Sequence, residues 1–192
     1  MKAMKFLLPG VLAGAISFAA PAIAQESFAS HLYVGANGGQ GHWRAMCPSG
    51  SSCEDISGTL AVFAGYQINP MFSAEASFRN YGELKGHNAA GVTSTIKGKG
   101  WDLSGLAAWP LTDWLSVYGR LGIYRSVLKG DGALIGAKES NFGPTYGAGL
   151  QFAINKSLAL RGEWQGFSSM GGSTLPKGDL NVLSVGALWQ FR

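Results

Sequence analysis

Near its end the chain runs Asp179-Leu-Asn-Val-Leu-Ser-Val-Gly-Ala-Leu-Trp-Gln-Phe191, and taken two at a time this stretch separates into two rows. Leu183, Val185, Ala187, Trp189 and Phe191 form an apolar row; Ser184, Gly186 and Gln190 form a small or polar one, interrupted only by Leu188. Successive side chains of a strand point to opposite faces, so a period of two predicts a β-strand. An apolar face outward, a small or polar face inward and aromatic residues at the last positions are expected of a strand that closes a barrel in a membrane.

The rest of the chain repeats the pattern. Leu32, Val34 and Ala36 alternate with Tyr33, Gly35 and Asn37. Leu60, Val62, Ala64, Tyr66 and Ile68 lead into Asn69-Pro70, from which Phe72, Ala74, Ala76 and Phe78 leave, opposite Ser73, Glu75, Ser77 and Arg79. Two alternating runs joined by a tight turn predict a hairpin. The unit recurs from Trp101 to Trp109, through Pro110-Leu111-Thr112-Asp113, to Leu115 and Ile123. It recurs again from Tyr146 to Ile154, through Asn155-Lys156, to Leu158 and Trp164. The turns at Asn69, Thr112 and Asn155 are each 43 residues apart, the mark of a repeated supersecondary unit. The reading is an all-β chain of eight antiparallel strands, an up-and-down transmembrane β-barrel. Three short turns lie at one end and four longer connections, about 39–57, 83–95, 128–140 and 169–178, at the other. Proline removes a ladder donor, so Pro144 is placed at the outer rim of the sixth strand.

Composition narrows this further. Lys2 and Lys5, an apolar run from Phe6 to Ala20, and Pro21-Ala22-Ile23-Ala24 before Gln25 have the three parts of a cleaved secretory signal peptide. Residues 1–24 are therefore read as a signal peptide and 25–192 as the barrel domain; an uncleaved anchor helix is the alternative. Beyond the leader, 13 basic and 11 acidic residues leave a net charge of +2, which gives no reason to expect nucleic acid. Charged residues make up only 14% of the chain against 29 glycines, unlike an ordinary soluble helical domain. No later apolar run is long enough for a membrane helix, but a closed barrel can cross because it satisfies every backbone group internally.

Several segments are similar to the transmembrane domain of the OmpA family. They are Phe63-Ala64-Gly65-Tyr66-Gln67-Ile68-Asn69-Pro70, Trp109-Pro110-Leu111-Thr112-Asp113, Tyr118-Gly119-Arg120-Leu121-Gly122, Ala153-Ile154-Asn155 with Arg161-Gly162-Glu163-Trp164-Gln165, and Leu183 to Phe191. The resemblance implies an eight-stranded barrel in a bacterial outer membrane. Read as ending at the barrel, the sequence is not expected to carry the peptidoglycan-binding domain of full-length family members, so cell-wall anchoring is not carried over.

Parity points Glu75, Asp102, Arg120, Arg161 and Glu163 into the lumen. Eight strands enclose a space that side chains can fill, so these charges can meet across it. One reading is a structural network in which each charge offsets the desolvation of another. The other is a salt-bridge gate, which the resemblance implies because Glu75 and Arg161 match the family's interior ion-pair positions. Leu106 stands where the family has a lysine and Gln151 where it has a glutamate, leaving half of that switch. Aromatic residues on the outward rows form two girdles: Tyr66, Phe72, Trp109, Phe152, Trp189 and Phe191 near the short turns, and Phe78, Trp101, Phe142, Tyr146 and Trp164 toward the long connections.

Beyond the upper girdle Lys97, Lys99, Arg125 and Lys129 make a basic rim suited to lipopolysaccharide phosphates, or to simple solvation. Cys47 and Cys53 share the first long connection, where an oxidising compartment favours a disulfide. With only His42 nearby, a four-ligand zinc site is poorly supplied, and no metal or cofactor is expected. Trp43 and Arg44 beside them are candidates for an adhesive tip or for ordinary loop residues.

Two functional classes follow. The first is a non-enzymatic outer-membrane barrel with a structural, adhesive or loop-mediated role. Its expected partners are outer-membrane lipid and lipopolysaccharide, the barrel assembly machinery acting on the C-terminal strand, and a surface ligand of the loops; the expected state is a monomer. The second is a narrow gated pore or a lipid A-modifying enzyme. Such an enzyme needs a nucleophile and a base in reach, and the three histidines, His31, His42 and His87, lie in three separate places.

Overall fold

The computed structural model describes residues 31–44, 52–54, 56–87, 93–132, 138–170 and 178–191. They form β1 (Leu32–Arg44), β2 (Ser52–Glu54), β3 (Ile56–Gln67), β4 (Phe72–His87), β5 (Thr93–Pro110), β6 (Leu115–Gly132), β7 (Lys138–Ala153), β8 (Leu158–Met170) and β9 (Gly178–Gln190). Every long strand pairs antiparallel with its neighbour in sequence, and β1 pairs with β9 from Tyr33↔Gln190 to Arg44↔Asp179, so eight strands close into a barrel. The short β2 adds to the outer end of β4, Cys53 lying opposite Gly86.

The three short turns are copies of one another. Asn69 Oδ1 accepts from the backbone N–H groups of Met71 and Phe72, and Asn155 Oδ1 from those of Ser157 and Leu158. Thr112 Oγ1 accepts from Leu115 N–H. The 43-residue period is thus carried by a side chain that holds its own turn, which is why Asn and Thr recur there. Each turn is also tied to the next strand along: Ala108 N–H donates to Met71 O, Ala153 N–H to Trp114 O, and Gln190 N–H to Ser157 O.

The long connections are shorter than the alternation implies. β4 runs to His87, β5 starts at Thr93, and β5 and β6 reach 18 residues each, because ladder pairing continues where the apolar alternation that marks lipid contact has ended. Two irregularities accompany these extensions. In β4 the register slips between Asn80 and Gly82, and in β8 between Phe167 and Met170. Gly82 has φ 78°, and a Cβ there would lie 2.3 Å from Gly58 O. Gly82→Ala is therefore expected to lower stability by about 1–3 kcal/mol, read as a shift in the urea midpoint in lipid vesicles; an unchanged midpoint would show that the bulge relaxes freely. Pro144 pairs with Ile123 of β6, while the β7–β8 ladder stops one residue short of it, at Thr145↔Phe167.

Outward positions carry the apolar residues, with Leu121 74% and Val185 72% exposed, and both aromatic girdles stand on this face. Leu188, the exception to its row, turns inward with Tyr33, Phe63 and Ala159. A wall of exposed leucine, valine and tryptophan around a polar interior suits a hydrocarbon surround.

Candidate functional site: the lumen network and the outer basic row

Midway along the barrel Arg120 of β6 lies across the lumen and meets three carboxylates. Its guanidinium donates to Glu163 at 2.7 Å, Glu75 at 3.1 Å and Asp102 at 3.2 Å. Arg161 of β8 reaches Glu75 at 2.6 Å and Gln151 Oε1 at 3.2 Å. All five charges are at most 5% exposed. Neutral donors complete the set: Tyr33 OH donates to Glu75, Tyr118 OH to Glu163, and the Ser77 and Ser104 hydroxyls to Asp102. Gly149 gives Tyr118 its place, since a Cβ there would lie 2.5 Å from the phenol oxygen.

Arg79 belongs to the same interior, although it was not among the charges expected there. It is 1% exposed and donates to Asn37 Oδ1 at 3.3 Å and Gln165 Oε1 at 3.0 Å. Three arginines thus face three carboxylates, and the described lumen charges cancel. Its place in the inward row of β4 was the available signal. Gln151, where the family has a glutamate, serves as an acceptor for Arg161, and Leu106 is buried where the family has a lysine.

Aromatic and apolar groups close the lumen on both sides of these charges. Toward the short turns the Arg161 guanidinium lies 4.9, 5.0 and 5.7 Å from the ring centres of Phe63, Tyr118 and Tyr33. Below it a polar vestibule of about 130 Å³ opens at the rim, where Gln190 Nε2 donates to Gln67 Oε1 across the β1 seam. Toward the long connections Tyr81, Tyr124, Leu128, Phe167, Met170 and Leu180 form an apolar plug, each at most 1% exposed. Tyr81 enters it as the next member of the inward row of β4 that holds Glu75, Ser77 and Arg79, and the slip in β8 turns Met170 into it. Trp43 is also in the plug, donating from Nε1 to Ser57 Oγ at 3.0 Å. This corrects its placement as a tip residue: it fills the mouth of the barrel from inside, and Arg44 alone of the pair is exposed.

On the outside Lys97, Lys99, Arg125 and Lys129 are exposed on β5 and β6. Lys97 sits between Asp131 at 3.3 Å and Glu83 at 3.5 Å, and its hydrogen bond to Asp131 raises its pKa. Arg125 donates from Nε to Ser140 Oγ at 3.3 Å. Cys47 lies outside the described residues, and for Cys53 only the backbone is described, so the disulfide expectation falls outside them too, as does the leader 1–24. Among the described residues no cluster of His, Cys, Asp and Glu could hold a metal.

The comparisons with known proteins agree on what kind of wall this is. Outer membrane protein A of Shigella flexneri is 28% identical over 170 residues, covering 83% of this chain and 48% of that one, so the chain spans about half of that relative's length. The crystal structure of Neisserial surface protein A superposes with a TM-score of 0.59 at 17% identity, covering 84% of this chain and 98% of that one. The structure of Ail of Yersinia pestis in complex with the heparin analogue sucrose octasulfate gives 0.52 at 17%, covering 84% and 99%. A family model described as the outer membrane protein beta-barrel domain matches residues 10–191. With a closed eight-stranded wall, lipid-facing apolar rows and that match over nearly its whole length, the chain belongs to the family of outer membrane β-barrel proteins.

Proposed function

We propose that this protein is a non-catalytic barrel that serves the bacterial cell surface as a structural and contact element, through its outer wall and its long-connection end. The observation that carries this reading is the filled lumen. From the vestibule upward, the Arg161 stack, the six-charge layer and the apolar plug follow one another, and the widest of these side chains are almost completely buried. An eight-stranded barrel has room for little more than its own side chains, so solutes have no path, and the surface is what remains available to act. The Ail complex is a precedent for a barrel of this fold holding a ligand.

The leader is removed on export, strand β9 with Phe191 is presented to the barrel assembly machinery, and the barrel is monomeric. His31 precedes β1 at the short-turn rim, while His42 and His87 lie toward the other ends of β1 and β4. At about 3.4 Å per residue His31 is roughly 35 Å from His42, so these two cannot share a site.

Refolded protein whose gel mobility shifts on heating, as a folded barrel's does, is expected to give no discrete conductance steps in planar bilayers, and its expression is expected to leave the lipid A mass spectrum unchanged. Discrete steps altered by Glu75→Gln would establish a gated pore instead, and a changed acyl pattern would establish an enzyme.

A further inference from the structure

The outer faces of β5, β6 and β7 carry two features that the fold does not require. The first is a row of like charges. The register sets Lys97 opposite Lys129 and Lys129 opposite Lys138, and like charges directly opposite one another destabilise a sheet. Glu83 and Asp131 compensate Lys97. Lys99, Arg125, Lys129 and Lys138 are all exposed on the same outer faces. The Arg125 guanidinium is held at Nε by Ser140, leaving its other N–H groups for a doubly acceptor anion such as a phosphate.

The second feature lies below this row and reaches from β4 to β8. Ala74, Gly105, Ala107, Gly119 and Ala148 floor an apolar groove of about 750 Å³ on the outer wall, edged by Leu121, Tyr146 and Trp164. Glycine inside a strand weakens it and often marks a close approach by another molecule. Neither Gly105 nor Gly119 has a positive φ. A Cβ at Gly105 would meet nothing within 4 Å, and one at Gly119 only Gly147 O at 3.9 Å. Packing leaves room for a side chain at both, so their smallness serves whatever lies outside.

We propose that the two features are one docking site for lipopolysaccharide, with headgroup phosphates on Lys99, Arg125, Lys129 and Lys138 and one acyl chain in the groove. The dimensions agree. Trp101, Arg125 and Phe142 share a register row, so the cations begin at the level of the upper aromatic girdle. Gly119 lies six residues down β6 from Arg125, roughly 20 Å along the strand and about 15 Å along the axis of a tilted barrel, within a fatty chain's reach. From β5 to β7 the cations span two strand spacings, about 10 Å. That width fits a headgroup bearing two phosphates; a phospholipid with one engages only part of it. The site needs the membrane placement of the wall and is independent of the role proposed for the loops.

The test titrates the full barrel, refolded in detergent, with rough lipopolysaccharide and counts bound lipid by native mass spectrometry. One lipopolysaccharide is expected to bind, with phosphatidylglycerol weaker by about tenfold or more. The combined Lys99→Gln, Arg125→Gln, Lys129→Gln and Lys138→Gln variant is expected to lose about tenfold or more. Gly105→Leu with Gly119→Leu, which fills the groove and leaves the cations, is expected to lose about tenfold too. Where the leucine pair fails to fold, by its heat-shifted gel mobility, Ala107→Val with Ala148→Val takes its place, with a loss of about threefold. Unchanged binding by the folded charge variant or by the folded groove variant overturns the site, and equal affinity for phosphatidylglycerol overturns its assignment to lipopolysaccharide.

Discussion

Arg120→Met is expected to cost the barrel about 3–5 kcal/mol, because it removes one partner from three carboxylates that have no access to water. Of the three contacts Arg120 makes, its shortest is to Glu163, at 2.7 Å, with longer ones to Glu75 and Asp102. Methionine keeps the apolar stem of the side chain and none of its donors, so the loss reports uncompensated buried charge more than missing packing. The three acceptors do not suffer equally. Among the described residues Glu75 keeps Arg161 and Tyr33, and Asp102 keeps Ser77 and Ser104, whereas Glu163 keeps the Tyr118 hydroxyl alone. Adding Glu163→Gln is therefore expected to restore part of the loss, about 1–3 kcal/mol. The measurement is equilibrium urea unfolding in phospholipid vesicles, followed by tryptophan fluorescence. A loss below about 1 kcal/mol would mean that the carboxylates take up protons or water at little cost, and the network would then not hold the barrel together.

Phe167→Ala is expected to lose a comparable amount, about 3–5 kcal/mol, by a different route. The ring is 1% exposed and stands edge-on between Tyr81 at 5.3 Å and Tyr124 at 5.4 Å, with the Arg79 guanidinium 5.9 Å away. Removing it opens a void that the tyrosines, fixed to a closed wall, cannot collapse into. The variant should nevertheless stay silent in planar bilayers, because the arginine layer beneath the plug is untouched. Conductance steps in Phe167→Ala would show that the plug alone seals the lumen, and equal stability would show that it packs loosely.

The sequence carried the wall more legibly than its contents. Alternation with a period of two marks a strand wherever one face meets lipid, and the turns at Asn69, Thr112 and Asn155 are visible because a single side chain organises each. Counting in twos fails where the register slips. Met170 follows the slip after Phe167 and turns inward on an even number where Arg161, Glu163, Gln165 and Phe167 do so on odd ones, so the plug takes in a residue that parity assigns outward. The strand extensions beyond the girdles were hidden for a related reason: backbone pairing persists there without an apolar face to announce it. The lumen charges were readable one at a time. That a single arginine would gather three acids was not, because it depends on strands 18 to 45 residues apart in sequence being brought face to face.

Because β1 pairs with β9 along 12 residues, the finished wall has no edge, and any shorter version of it has two. Such edges are long, flat and apolar on one side, the kind that template pairing with other copies. Closure is therefore an event in time as well as a shape. Until β9 pairs with β1 the sheet keeps two adhesive borders, and the pairing of those 13 residues turns a sticky ribbon into an inert cylinder.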